Sequence, residues 1–191
     1  MKSTGPVYDF VFRGLLTEEA LDKAGRRTGT SVAEAALVEA LNYQLLDPEL
    51  LEYATTMGIV YAAIATFESS ARIFVTKVLL DAHGDTWWST QVSEKIRKFA
   101  QSRRDDEEKT KWHGKRGDSL LNYSEMGHLV DIMRQNWTDF EPHVPRIEWA
   151  ESIFDTIERS RNVIMHSGVL EMEDIERVGI NIRDWTKQVG A

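Results

Sequence analysis

Apolar side chains recur at helical spacing along most of this chain. The clearest case is residues 149–167, where about 100° of rotation per residue places Ala150, Ile153, Phe154, Ile157 and Ile164 on one stripe. Segments that alternate between apolar and polar residues, as strands do, are hard to find, and only four prolines occur. The pattern therefore predicts an all-α fold, an up-and-down helical bundle.

Capping signals set the expected helix boundaries. Serine, threonine or aspartate precedes several apolar runs, and glycine or proline follows or opens others. In the N-terminal part, the predicted helices are 18–25, capped by Thr17, and 31–44, with a Ser31/Glu34 capping box. A long helix is predicted from Asp47-Pro48 to Leu80, either continuous or restarting at Gly58, and another after Trp87-Trp88 to about Ser102. The last three predicted helices are 125–136, capped by Ser124, one from Pro145 or Arg146 that ends with Gly168 as C-cap, and 172–188.

The chain of 191 residues suits one domain with an extension. The helices from residue 51 to residue 191 are long and apolar enough to share one core. We therefore expect a helical bundle over residues 51–191 and a helical N-terminal extension over residues 1–50.

Charge and composition exclude several classes of protein. The net charge of −8 argues against broad electrostatic binding of nucleic acid, although it allows a local basic cleft. The absence of cysteine excludes disulfides, thiolate metal sites and a cysteine nucleophile. The most apolar stretch, 57–67, is short and is followed by charged side chains, and no signal peptide is recognisable. We expect a cytoplasmic protein with no membrane partner.

Arg161 interrupts the apolar stripe of the 149–167 helix. A buried guanidinium without a partner is very costly, so Arg161 is either part of a structural ion pair or part of a site. Asn162 and His166 are four residues apart and therefore share a neighbouring face of the same helix.

Glu68 and Arg72 are the only charged residues between Tyr53 and Thr76. Their spacing of four residues allows an ion pair within one helix, which would satisfy both. The alternative is that Glu68 also reaches Arg161 on a neighbouring helix and orients it.

Metal and cofactor sites have no support in the residue pattern. His83, His113, His128 and His143 are widely spread without ligand spacing. Phosphate-binding glycine loops and a serine-triad motif are also missing from the sequence. The six tryptophans could stack on bases, although aromatic residues at helical spacing more often belong to a core. We expect neither a metal nor a cofactor.

The motif Arg161-Asn162-(three residues)-His166 on the penultimate helix resembles the Arg-x4-6-His signature of the HEPN superfamily. Glu68 resembles the acidic residue that many members carry on an early long helix, and Trp87-Trp88 follows that helix as in HEPN domains of prokaryotic conflict systems. The resemblance covers about residues 50–190. One position departs from it, because several HEPN toxins have tyrosine two residues after the histidine, where this chain has Gly168.

The resemblance implies a metal-independent endoribonuclease that works as a homodimer, with the two signature helices facing each other across a cleft. It implies catalytic roles for Arg161, Asn162 and His166, with Glu68 and Arg72 in support. The chemistry fits, because histidine can exchange protons near neutral pH and arginine presents a fork matched to phosphate oxygens.

We therefore expect an RNA-cleaving enzyme in a toxin or anti-phage defence role, controlled by a regulatory or neutralising protein partner. Two alternatives remain: a non-catalytic HEPN-like dimerisation or partner-binding module, and an unrelated helical protein in which Arg161 is a structural ion pair. The segment 101–119, with six basic and five acidic side chains around Trp112, is interpreted as a solvated loop or frayed helix end, and contact with RNA phosphates is its alternative role.

Overall fold

The computed structural model describes Thr17 and residues 32–190. This part of the chain is helical and contains no strand, which confirms the all-α prediction. The chain divides into two units at Leu50/Leu51.

In the first unit, helix α1 spans Val32–Ala40 and a 3-10 turn spans Tyr43–Leu45. The predicted extension of this helix to residue 44 is wrong, because Asn42 adopts a left-handed conformation (φ 52°) that ends the helical path. Thr17 is helical, whereas the rest of the predicted 18–25 helix and the Ser31 cap lie outside the described residues.

Helix α2, Pro48–His83, is the longest of the described helices and passes through Gly58 without a break. The Asp47 side chain accepts hydrogen bonds from the backbone N–H groups of Glu49 (2.9 Å) and Leu50 (3.2 Å), as the N-cap prediction requires. By length and composition alone, the stretch Pro48–Gln91 could cross a membrane. Within the protein, 22% of its apolar window is buried, and α2 places eight residues in the core of the bundle.

The remaining helices of the second unit follow the predicted order with shifted boundaries. They are α3 Trp87–Gln91, α4 Glu94–Glu108, a 3-10 turn Leu120–Tyr123, α5 Met126–Gln135, α6 Trp137–Phe140, α7 Ile147–Met165 and α8 Met172–Val189. The helix predicted after Trp87-Trp88 is two helices, and α4 continues six residues past Ser102.

The predicted Ser124 cap of α5 is also wrong. Glu125 is the N-cap, in a capping box in which its side chain accepts from the His128 backbone N–H and its own N–H donates to His128 Nδ1 (3.1 Å). Ser124 is buried, and its hydroxyl instead donates to the Leu121 carbonyl (2.8 Å).

An aromatic cluster joins α2, α7 and α8. The Trp185 ring lies edge-on to Phe67, Phe74 and Phe154, with centroid distances of 5.9, 5.6 and 5.1 Å. Helix α7 packs against both α5 and α8. This packing sets the rotation of α7 about its axis, and thereby the direction in which Arg161 points.

Candidate functional site

Glu68 on α2 lies between two arginines. One of its carboxylate oxygens accepts from Arg72 on the same helix, and the other lies 3.4 Å from Nη1 of Arg161 on α7. The structure thus confirms the predicted contact between Glu68 and Arg161. A single carboxylate cannot neutralise two guanidinium groups, so this cluster retains one net positive charge.

Arg72 ties α2 to the segment that leads into α5. Its side chain is 12% exposed, and its guanidinium donates to the Leu121 carbonyl, the Ser124 hydroxyl (3.0 Å) and the Ser124 carbonyl (3.0 Å). These bonds use much of its donor capacity, so Arg72 holds Glu68 in place and has little left for a ligand.

Arg161 lies at the edge of the core rather than in the middle of the apolar stripe. Ser160, 7% exposed, occupies the core position, and the Arg161 side chain is 30% exposed. The Nε atom of Arg161 is buried without a hydrogen-bond partner, and the 3.4 Å contact with Glu68 is long for a hydrogen bond. The exposed part of the Arg161 guanidinium, which makes only this one long contact, is therefore available to bind an anion.

Arg161 opens onto a groove of about 960 Å³ between α2, the end of α4 and the segment 116–125. We call this the Arg161 groove. Its polar wall is formed by Glu68, Arg72, Lys77, Arg103, Arg116 and Arg161, among others. Five cationic and three acidic side chains line it, an excess of positive charge in a chain whose net charge is −8. The groove is the local basic cleft that the composition allowed.

The sequence motif predicted neither Lys77, Arg103 nor Arg116 as groove residues. Arg103 and Arg116 belong to the charged segment 101–119, which suggested phosphate contact only as an alternative. A charge run does not reveal which of its side chains fold back onto a cleft, so the structure was needed to identify them.

Asn162 and His166 are exposed and do not line the Arg161 groove within one chain. His166 follows Arg161 by five residues, so it is rotated by about 140° around the helix axis. The structure therefore does not unite Arg161 and His166 in a single pocket of one protomer.

His166 is the C-cap of α7, at a helix end of the Schellman type. The Ser167 N–H donates to the Ile164 carbonyl (3.0 Å), and the Gly168 N–H donates to the Val163 carbonyl (2.8 Å). Gly168 was predicted to be the C-cap, but Ser167 carries the left-handed conformation (φ 61°). Gly168 has a different role, because an added Cβ would lie 2.6 Å from Val163 Cγ1 and 2.9 Å from the Val163 carbonyl oxygen.

Two substitutions at this helix end should have opposite effects on stability. Ser167→Gly should stabilise the protein by about 0.5–1 kcal/mol, because glycine adopts the left-handed conformation without strain. Gly168→Ala should destabilise it by about 1–3 kcal/mol, because the new methyl group collides with backbone that cannot move freely. Urea denaturation measures both changes, and equal signs for the two variants would contradict this description of the helix end.

Apolar side chains surround His166 on the protein surface. Met165, Val169 and Met172 are 60%, 53% and 66% exposed, and Val163 is 39% exposed. The turn between α7 and α8, which carries Val169, is anchored to α2, where Met57 Sδ accepts from the Leu170 N–H (3.3 Å). We call these four side chains the His166 patch.

Glu158 precedes Arg161 by one helical turn and was not identified from the sequence. Burial raises the pKa of the Glu158 carboxyl, as do the nearby carboxylates of Glu125, Asp155 and Glu68, whereas Arg161 lowers it. The position of Glu158 beside Arg161 adds a proton-exchanging group near the cluster.

Glu158→Gln should stabilise the protein at neutral pH only. Folding raises the pKa of Glu158 above its ordinary value of 4.5, so between the unfolded and the folded pKa the native state binds more protons than the unfolded state. The free energy of unfolding therefore falls as the pH rises from the unfolded pKa through the folded pKa. The variant should therefore unfold at higher urea than wild type at about pH 7, and at nearly the same urea at about pH 4. The exposed Glu176 on α8 is the control position, and an equal gain from Glu158→Gln at both pH values would refute the assignment.

The histidines outside the motif have local structural contacts. His83 Nε2 lies 2.7 Å from an Asp139 carboxylate oxygen, His128 closes the α5 capping box, and the His143 ring packs edge-on against Phe74. Among the residues that the structure describes, no three histidine or acidic side chains are grouped so that they could hold a metal ion.

Comparison with known proteins gave one informative result. Neither the curated proteins nor the solved structures contain a significant match to this chain. A family model described as Swt1-like HEPN matches residues 63–190, which include Glu68, the charged residues of the Arg161 groove and the whole of the Arg161–His166 motif. The chain therefore belongs to the Swt1-like HEPN family.

Proposed function

We propose that this protein is a metal-independent endoribonuclease whose active sites form between two copies of the chain. The observation that carries the proposal is the state of Arg161. It opens into a cationic groove, shares its only described ion-pair partner with Arg72, and keeps a buried Nε without a partner. HEPN domains are most often ribonuclease domains, and Arg161 stands in the Arg-x4-6-His motif through which this chain resembles them.

Arg161 suits the binding of a phosphodiester. A guanidinium offers a planar fork of donors to two phosphate oxygens. Glu68 holds the guanidinium at one edge, so less conformational entropy is lost when the guanidinium binds a phosphate. The net positive charge of the cluster would stabilise the extra negative charge that develops on the phosphate during cleavage.

The reaction uses the RNA itself as the nucleophile. The ribose 2′-oxygen attacks phosphorus and loses its proton to a base, the bond from phosphorus to the 5′-oxygen breaks, and an acid gives a proton to that oxygen. The products are a 2′,3′-cyclic phosphate and a 5′-hydroxyl. Histidine can fill either proton role, and two copies of His166 in one cleft would supply both.

A second copy supplies what the groove lacks within one chain. The Arg161 groove of a single protomer has no histidine among its lining residues, whereas the His166 patch is exposed and apolar. Pairing of two such patches would remove apolar surface from water and bring His166 towards a partner's groove. Asn162, which is exposed beside His166, would donate hydrogen bonds to phosphate or hold the imidazole.

A second candidate function is a non-catalytic dimerisation or partner-binding module. It is favoured by the separation of Arg161 from His166 in one chain and by Gly168, which stands where several HEPN toxins have tyrosine.

The test is incubation of purified protein with end-labelled RNA and excess EDTA, while light scattering gives the mass of the particle. The proposal expects dimers and fragments whose 5′-hydroxyl ends polynucleotide kinase can label. Intact RNA in the presence of a stable dimer would favour the second candidate. Cleavage that EDTA abolishes would overturn the metal-independent mechanism.

We further propose a role in toxin or anti-phage defence. An unregulated ribonuclease would degrade the RNA of its own host, so we expect a neutralising or sensing protein partner. Residues 1–50 and the 101–119 segment are the regions of the chain we propose for binding it.

A further inference from the structure

The charged segment 101–119 separates in the structure into an acidic helix end and a basic loop. Four consecutive acidic residues, Asp105 to Glu108, close α4. The next nine residues, 109–117, contain Lys109, Lys111, Lys115 and Arg116 and no acidic side chain. We call residues 109–117 the basic loop. Among the residues that the structure describes, Lys109 pairs with Asp106 at 2.6 Å, and Arg116 lies 3.9 Å from Glu107.

The end of the basic loop that meets the bundle is firmly anchored. The Tyr123 hydroxyl donates to Glu107 Oε2 (2.8 Å), and the Arg116 backbone N–H donates to the same oxygen (3.0 Å). These bonds hold the pKa of Glu107 below its ordinary value, so the anchor remains ionised at neutral pH. Gly117 permits the tight return of the chain, because its φ of +134° is one that residues with a side chain rarely adopt.

Trp112 lies in the middle of the basic loop and is 84% exposed. Its recorded ring contact is with the neighbouring His113, at 5.6 Å between centroids. An indole left in water beside several cations is unusual for a folded surface, since tryptophan gains strongly from burial. Exposed aromatic rings between basic side chains are the means by which proteins bind unpaired bases and their phosphates.

Arg116 connects the basic loop to the Arg161 groove, because it belongs to the loop and lines the groove. Its guanidinium lies 5.9 Å from the centre of the Tyr123 ring and 3.9 Å from Glu107, and its side chain is 49% exposed. The same groove therefore reaches from Arg161 to the basic loop.

We propose that the basic loop binds single-stranded RNA beside the bond that is cut, with Trp112 stacked on an unpaired base and Lys111, Lys115 and Arg116 on phosphates. That the bound polymer is RNA rests on the proposed function. The new part is that the RNA is single-stranded at this loop and that these four side chains position it.

The experiment measures binding, in the presence of EDTA and in a His166→Ala background, so that it does not depend on cleavage. Fluorescence anisotropy follows a short labelled single-stranded RNA over a series of salt concentrations. Trp112→Ala should weaken binding by about 5- to 100-fold, the effect of losing one stacked base, and Trp112→Phe should retain most of the affinity. Lys115→Ala should reduce the slope of log affinity against log salt by about 0.7, the value for one phosphate contact on a single strand.

Arg183→Ala is the matched control, because Arg183 is an exposed arginine on α8 that pairs with Asp184. It should bind RNA as the parent does. Equal affinity of Trp112→Ala and Arg183→Ala, or equal binding of duplex and single-stranded RNA, would overturn the proposal. Weakening by Lys115→Ala without any effect of Trp112→Ala would also overturn it, and would indicate an acidic partner held by charge alone.

Failure of this proposal and failure of the proposed function give different results. If the binding data follow the expectation and wild type cuts no RNA, the loop is an RNA-binding element of a non-catalytic module. If wild type cuts RNA and the loop variants bind normally, the enzyme holds its substrate elsewhere.

Discussion

Replacing either Arg161 or His166 with alanine should abolish RNA cleavage while the helical content stays unchanged. Loss of a group that transfers protons lowers rates by about 10²–10⁴-fold, and loss of a cation that stabilises the developing phosphate charge has an effect of about 10²–10³-fold. Both side chains are at least partly exposed, and Glu68 keeps Arg72 as a partner when Arg161 is removed. Gel assays of labelled RNA measure the rates, and circular dichroism measures the helical content.

Arg159→Ala is the control for Arg161→Ala, because Arg159 is an exposed arginine two residues earlier on α7. It should cut RNA at the wild-type rate. If Arg161→Ala cuts as fast as Arg159→Ala, the assignment of the site is wrong.

Mixing the two inactive variants tests whether the site is composite. In a heterodimer of Arg161→Ala with His166→Ala, one Arg161 and one His166 remain, on different chains. One histidine can still fill one of the two proton roles, so part of the activity should return if a site combines Arg161 of one protomer with His166 of the other. A mixture as inactive as its components would mean either that both copies of His166 are needed in one cleft or that Arg161 and His166 act from the same chain.

Glu68→Gln should destabilise the protein by about 2–3 kcal/mol, because it leaves the two guanidinium groups without their shared counter-charge. Arg72 is 12% exposed and Glu68 is 19% exposed, so water replaces the lost carboxylate only in part. Cleavage by the folded variant should also slow, because Arg161 loses the contact that orients it. Urea denaturation gives the free energy of unfolding, and initial rates give the catalytic loss.

Glu94→Gln is the matched control, since Glu94 pairs with Lys98 at the same i,i+4 spacing and a distance of 2.7 Å. Its two side chains are 69% and 78% exposed, so the substitution should change the free energy of unfolding by less than about 0.5 kcal/mol. Equal losses in the two variants would mean that Glu68 forms an ordinary surface pair.

Much of the site was predictable because its residues lie on two regular helices. The spacing of Glu68 and Arg72 placed both on one face of α2, and Asp47-Pro48 marked the start of that helix. The sequence allowed two arrangements of Glu68, an ion pair with Arg72 alone or an additional contact with Arg161. The second could be predicted because a guanidinium on a core helix needs an acidic partner.

The predictions that were wrong concern features that contacts between different helices decide. The apolar stripe of α7 suggested that Arg161 lies in the core, whereas packing against α5 and α8 rotates Ser160 into that position. Ser124 looked like a cap by residue type, but Arg72 occupies its hydroxyl from another helix. Asn42 and Ser167 adopt left-handed conformations, which are uncommon for residues other than glycine. The predicted ends of α1 and α7 were therefore wrong.

The sequence by itself determined the helical fold, because that depends on periodicity along the chain, and it contains the Arg161–His166 motif whose resemblance pointed to the HEPN superfamily. Only the tertiary structure decided that Arg161 shares one carboxylate with Arg72, that Arg116 returns to the same groove, and that His166 does not line this groove within one chain. The physical reason is that direction and charge balance depend on how helices rotate and pack against one another, and local sequence does not encode that rotation.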